Sequence, residues 1–147
     1  MSLKETLMND LKEAMKEKDI IRKNTVQMIR SSVLQFEKDN KAELDDEGVL
    51  DVIAKELKRR RDVLPEYEKS GRADLIADIN REIEILLAYL PKQLSREELE
   101  EIVTQAISET GATSMKDMGR IMGAVMPKTK GRADGKMINE IVKAHLS

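Results

Sequence analysis

The chain has 147 residues, 40% apolar and 37% charged, with a formal net charge of −2. That balance excludes a disordered chain, which lacks apolar mass, and a membrane-embedded one, which cannot carry so many charges. The absence of cysteine removes disulfides, thiolate metal sites, cysteine nucleophiles and iron–sulfur clusters together.

Aromatic residues reach only 2% (Phe36, Tyr67, Tyr89), and nine methionines with many Leu and Ile supply the apolar mass. Straight-chain residues favour helix and aromatic or β-branched ones favour strand, so the composition predicts an all-α fold. Ser2 and Glu5 form an S-x-x-E capping box that opens a first helix, with Leu3, Leu7, Leu11 and Met15 on one face and an end near Lys18. A second helix starts around Asp19 and carries a stripe of Val26, Ile29, Val33 and Phe36, giving way to a loop at Lys38-Asp39-Asn40. Asp45 and Asp46 are cap candidates for a third, in which Leu50, Ile53, Ala54, Leu57 and Leu64 share one side and Pro65 is expected to kink or end the helix. Gly71 is a stop signal. The fourth helix runs from about Arg72 through Ile76, Ile79, Ile83, Leu86, Leu87 and Leu90 to Pro91.

After Pro91 the helices shorten. Ser95 and Glu98 make a second capping box ahead of Leu99, Ile102, Val103, Ala106 and Ile107, and Gly111 ends that segment. Ser114 and Asp117 open a helix with Met118, Ile121, Met122 and Val125 that is expected to stop at Met126-Pro127. Asp134 caps the last, with Met137, Ile138, Ile141, Val142 and Leu146. The pattern predicts a four-helix, bundle-like part over residues 1–92 and a small three-helix domain over 93–147.

Charge is uneven along this scheme. Residues 95–110 hold one Arg against five Glu, whereas residues 111–147 hold seven Lys and Arg against three acids. In the basic region, Gly119 and Gly123 lie four apart on a short helix, a spacing that exposes backbone to a ligand or a second helix. Lys128, Lys130, Arg132 and Lys136 bracket a loop with Gly131 that leads into a helix N-terminus, where free amides and positive partial charge suit a phosphate, and Arg120 joins them as a candidate contact on the wider 119–136 surface. The competing reading is that the glycines serve packing, Asp134 occupies the amides and the lysines solvate a loop. No aromatic interleaves the cations, so contact to backbone and shape is expected rather than base stacking.

Other chemistries lack parts. The single histidine, His145, stands in a terminal helical turn where its charge complements the dipole, so neither a triad nor a transition-metal site is expected. Lys58-Arg59-Arg60-Arg61 sweeps around its helix and is no single patch; Arg60 or Arg61 is expected at the core edge, paired with a carboxylate of a neighbouring helix. With no P-loop, no nucleophile and no metal set, no intrinsic catalysis and no cofactor are expected. No apolar run is long enough for a membrane span, and without a basic flank and apolar h-region near the N-terminus the cytoplasm is the default expectation.

The segment G-R-I-M-G-A-V-M-P-K-T-K-G-R-A-D-G (119–135), followed by M-I-N-E-I-V (137–142), closely resembles the GatB/YqeY family. E-L-K-R-R-R-D (56–62) and Y-L-P-K-Q-L-S (89–95) extend the likeness to small stand-alone YqeY-like proteins over nearly the whole chain. The resemblance implies a helical N-terminal part and a three-helix C-terminal part similar to the tail domain of the B subunit of tRNA-dependent amidotransferases. Those are carbon–nitrogen ligases that take the amide nitrogen from glutamine, and their catalytic domains have no counterpart here. Their tail is associated with tRNA, so tRNA or a related structured RNA is the implied partner of an accessory that does no catalysis itself. By the same resemblance Lys128, Lys130, Gly131, Arg132 and Lys136 take the place of the tail's K-x-T-K-G-K-A-N stretch, with Pro127 and Asp134-Gly135 as departures. A second expectation is a protein-interaction adaptor in which Met118, Met122 and Met126 line a helix-docking groove.

Overall fold

The computed structural model describes residues 1–146. Among these the regular structure is helical: α1 (Leu3–Glu17), α2 (Ile20–Asn40), α3 (Asp46–Ser70), α4 (Ala73–Leu87), α5 (Arg96–Thr110), α6 (Met118–Thr129) and α7 (Gly135–Leu146), with a 3-10 turn at Met115–Asp117. The all-α expectation is met. The chain divides into two compact units, one over residues 1–90 and one from Pro91 onward.

In the first unit α1 packs on α2, α3 on α4, and α2 against both α3 and α4. Leu7, Val26, Ile29, Val49, Ile53 and Leu86 form its core, each at most 1% exposed. Helix starts follow the side-chain caps. Ser2 and Glu5 complete the capping box of α1, Asp19 accepts the Arg22 amide hydrogen, and Asp45 that of Gly48. Lys18 and Lys41, both left-handed, terminate α1 and α2, a role more often taken by glycine.

Four boundaries differ from the sequence reading. The 38–40 segment is helix rather than loop, because Gln35 donates to Asp39 (2.8 Å) and Asn40 to the Phe36 carbonyl (2.9 Å), and Phe36 is exposed. Pro65 lies inside an unbroken α3, and Pro127 inside α6. Each proline is exposed and, lacking an amide hydrogen, makes no helical bond to the carbonyl four residues earlier. α4 stops at Leu87, and Ala88–Leu90 form a tighter turn, Leu90 donating to the Leu87 carbonyl (3.2 Å).

Arg60 is the arginine at the core edge. It is 7% exposed and Glu56 3%; Arg60 pairs with Glu56 one turn back (2.8 Å) and with Glu82 of the neighbouring α4 (3.6 Å). Ser32 also donates to Glu56 (3.4 Å). Tyr89 donates its phenolic hydrogen to Asp10; burial, then that bond, pushes the phenol above its ordinary range.

In the second unit α5 packs against both α6 and α7. Leu99, Val103, Ile121, Val125, Ile138 and Ile141 are its core. The second capping box, Ser95 with Glu98, opens α5, and Gly111 closes it with a left-handed φ of 67°.

Candidate functional site

The bend between α6 and α7 is built by Gly131, whose φ of 71° is one that L side chains rarely adopt. Gly131 turns the chain so that residues 131–132 run beside the segment that precedes α5. Leu94 donates its amide hydrogen to the Arg132 carbonyl (2.7 Å), and Gln93 donates its side-chain amide to the Gly131 carbonyl (2.8 Å). The Arg132 guanidinium reaches back to the Lys92 carbonyl (3.3 Å), and the Arg132 amide donates to the Thr129 carbonyl (2.8 Å). Together these bonds form a clasp that ties the bend to residues 92–94.

Lys128, in the last turn of α6, Lys130, at its end, and Lys136, in the first turn of α7, are exposed around this bend. Arg132 is half-buried and partly engaged in the clasp. Arg120 stands apart, at the far end of α6 and about 12 Å along its axis from Lys128. Its guanidinium is held by the Thr110 carbonyl (2.7 Å) and lies 3.8 Å from Asp117. The structure therefore gathers Lys128, Lys130, Gly131, Arg132 and Lys136 at one bend and leaves Arg120 out.

Asp134 accepts the Lys136 amide hydrogen (3.0 Å), so an internal carboxylate already serves the start of α7. An anion at this bend meets side-chain cations first rather than bare amides. The glycines of α6 resolve the other way. A methyl group added at Gly119 or Gly123 would meet no atom within 4 Å, so neither glycine is required by packing within the unit. Met118 and Met122 are half-buried against the core, and of the three candidate groove methionines only Met126 is exposed. The three therefore do not form one exposed row, since two of them pack partly against the core.

Lys92 is a cation that the reading of residues 119–136 missed. Its carbonyl anchors Arg132, and with Arg132 it acts on Glu98, whose carboxyl is held below its ordinary range by the Ser95 backbone amide and hydroxyl first and by these two cations after. Its position in Y-L-P-K-Q-L-S was the available signal. Asp117 is likewise lowered, chiefly by the Thr113 amide. His145 lies with Nε2 2.7 Å from Glu100 Oε2, joining the last turn of α7 to α5. Among the described residues no group of three or more His, Asp or Glu could hold a metal ion, and no helix is long and apolar enough to cross a membrane.

A three-helix module with a clasped, lysine-bearing bend, joined in one chain to a four-helix unit, defines an all-helical protein of two compact parts. The chain belongs to the Yqey-like protein family, whose model matches residues 4–146. Among its relatives is the altered inheritance of mitochondria protein 41, mitochondrial, of Kluyveromyces lactis, 40% identical over 107 residues, which are 70% of this chain and 57% of that protein. The chain thus spans little more than half of that relative. The protein of the same name from Pyrenophora tritici-repentis is 28% identical over 145 residues, 94% of this chain and 80% of the relative. The E subunit of glutamyl-tRNA(Gln) amidotransferase from Saccharolobus solfataricus is 33% identical over 85 residues, 58% of this chain but 13% of that protein. The amidotransferase likeness therefore falls on a small part of an E subunit. The cytoplasmic expectation is overturned by the fungal relatives, which are named as mitochondrial proteins.

Proposed function

We propose that the protein is a non-catalytic accessory that binds tRNA or a related structured RNA through the bend at 128–136, extended by Lys92 and the glycine face of α6. The observation that carries this reading is the clasped bend, whose hydrogen-bonded backbone carries several cations within a few residues of one another. A hydrogen-bonded bend favours binding because less loop freedom is lost on association. The likeness to part of a tRNA-dependent enzyme supports RNA as the polyanion.

The glycine face suits the same ligand. Gly123 is exposed with no side chain in the way, and Pro127, lacking an amide hydrogen, makes no bond to the Gly123 carbonyl. A ribose 2′-hydroxyl can donate to it while a neighbouring phosphate meets Lys128. Such contacts read backbone and shape, not base sequence.

The test is a gel shift with unfractionated tRNA, comparing the native chain with Lys92→Glu/Lys128→Glu/Lys130→Glu. All three side chains are exposed, so circular dichroism should be unchanged while retention is lost. Equal retention by the variant would refute the reading.

A further inference from the structure

The α1–α2 hairpin presents a surface that neither its own core nor the basic bend explains. Met8 and Met15 of α1 are 36% and 57% exposed, and Ile20 and Leu34 of α2 are 67% and 60% exposed. Met8 and Met15 lie seven residues apart and Ile20 and Leu34 fourteen, so each pair repeats on one face of its helix. A cleft of about 320 Å³ is lined by Met8 and Leu34, and another of about 340 Å³ by Met15 and Ile20. The seam between the two helices is about 20 Å long, the rise of fourteen helical residues. Single exposed apolar side chains are ordinary, but a row of them beside concave clefts is the form of a helix-docking groove.

Charge identifies the occupant. Arg30 borders the first cleft, Lys18 and Lys23 border the second, and Lys12 lies on α1 between the two methionines. Among the described residues none of these four side chains makes an ion pair. The acids beside the clefts are all engaged within the fold. Glu37 holds Lys4 and the Leu44 amide, Asp19 holds the Arg22 amide and Arg81, and Glu5 belongs to the capping box of α1. The result is an apolar seam with an uncommitted positive rim.

We propose that this face docks an acidic amphipathic helix of a partner protein, its apolar residues entering the two clefts and its flanking carboxylates reaching Arg30, Lys18 and Lys23. Concave clefts accept inserted side chains, whereas a bilayer surface asks for a convex apolar face. A second copy of this face would bring like charges together across a two-fold axis. The proposal is independent of the RNA reading, since it uses other residues in the other unit.

The experiment selects from a displayed library of short helical peptides against the full chain, then titrates the selected peptide into protein carrying carbon-13 methionine methyls. Enriched peptides are expected to carry apolar residues at i, i+3 or i+4, and i+7, flanked by Asp or Glu. They should shift the Met8 and Met15 methyls and leave those of Met118 and Met122 in place. Ile20→Lys/Leu34→Lys changes only exposed positions and should weaken binding by about tenfold or more. Lys23→Glu/Arg30→Glu should weaken it at low salt, with the difference shrinking as salt is added. Failure to enrich any peptide, enrichment of basic peptides, or affinity indifferent to the Ile20 and Leu34 changes would overturn the proposal. So would anionic phospholipid vesicles that move these methyls more than any selected peptide does, or concentration-dependent dimerisation blocked by Leu34→Lys.

Discussion

Replacing Gly119 and Gly123 together by alanine should make the protein more stable and a weaker RNA binder. Neither glycine has a positive φ, and a methyl group at either meets no atom within 4 Å. Gly123 lies in the interior of α6, where alanine is favoured over glycine by about 0.8–1 kcal/mol. Gly119, in the first turn, gains less, so the pair should add about 1–1.5 kcal/mol. For a small domain that raises the melting midpoint by roughly 5–10 °C. The same two methyls stand where an RNA backbone would approach the Gly123 carbonyl, and loss of one such contact, about 1.4 kcal/mol, is a tenfold loss of affinity. Thermal melts followed by circular dichroism and filter binding of tRNA at fixed salt read the two effects separately. A stabilised variant that binds RNA as tightly as the native chain would remove the α6 face from the proposed interface. A destabilised one would refute the claim that these glycines have no packing role.

Two further outcomes concern the fold. Glu56→Ala leaves the Arg60 guanidinium buried with only the 3.6 Å contact to Glu82 as an ion pair. It should therefore cost about 3–5 kcal/mol in urea unfolding, whereas Glu56→Leu/Arg60→Met should recover most of that loss. Acid should destabilise both units. Glu37, lowered first by its bond from Lys4, and Glu98 and Asp117, lowered first by backbone amides, all titrate below their ordinary values in the folded chain. Between the folded and unfolded values the unfolded chain holds more protons, so this contribution is present above about pH 5 and lost as pH falls below about 4. Stability that stayed level down to the folded-state values would contradict those hydrogen bonds.

The parts legible in the sequence were those set by short-range chemistry. S-x-x-E at Ser2 and Ser95 marked two helix starts, Gly71 and Gly111 two stops, and the interruption of an apolar stripe at Arg60-Arg61 marked an ion pair at the core edge, though not that Arg60 is the member used or that Glu56 of its own helix is its shorter partner. What escaped depends on solvent or on contacts distant in sequence. Pro65 and Pro127 lie at exposed positions inside helices that continue past them, which periodicity alone does not state. Lys41 ends α2 in a left-handed conformation for which the sequence offered no glycine, and the end of α1 read near Lys18 uses the same conformation. At the candidate site the cation-rich bend was readable, but the clasp joining Gln93 and Leu94 to residues 131–132 spans about 40 positions and exists only after folding. The same folding commits Arg120 to the Thr110 carbonyl and brings Lys92 in.

The most direct measurement is the affinity for tRNA of the native chain and of Lys92→Glu/Lys128→Glu/Lys130→Glu across a series of salt concentrations. About four phosphate contacts give a log–log slope near −3 for the native chain, and losing three of them should bring it to about −1 with weaker binding at every salt concentration. A native slope near zero, or the same slope in both proteins, would contradict an interface made by the cations of this bend.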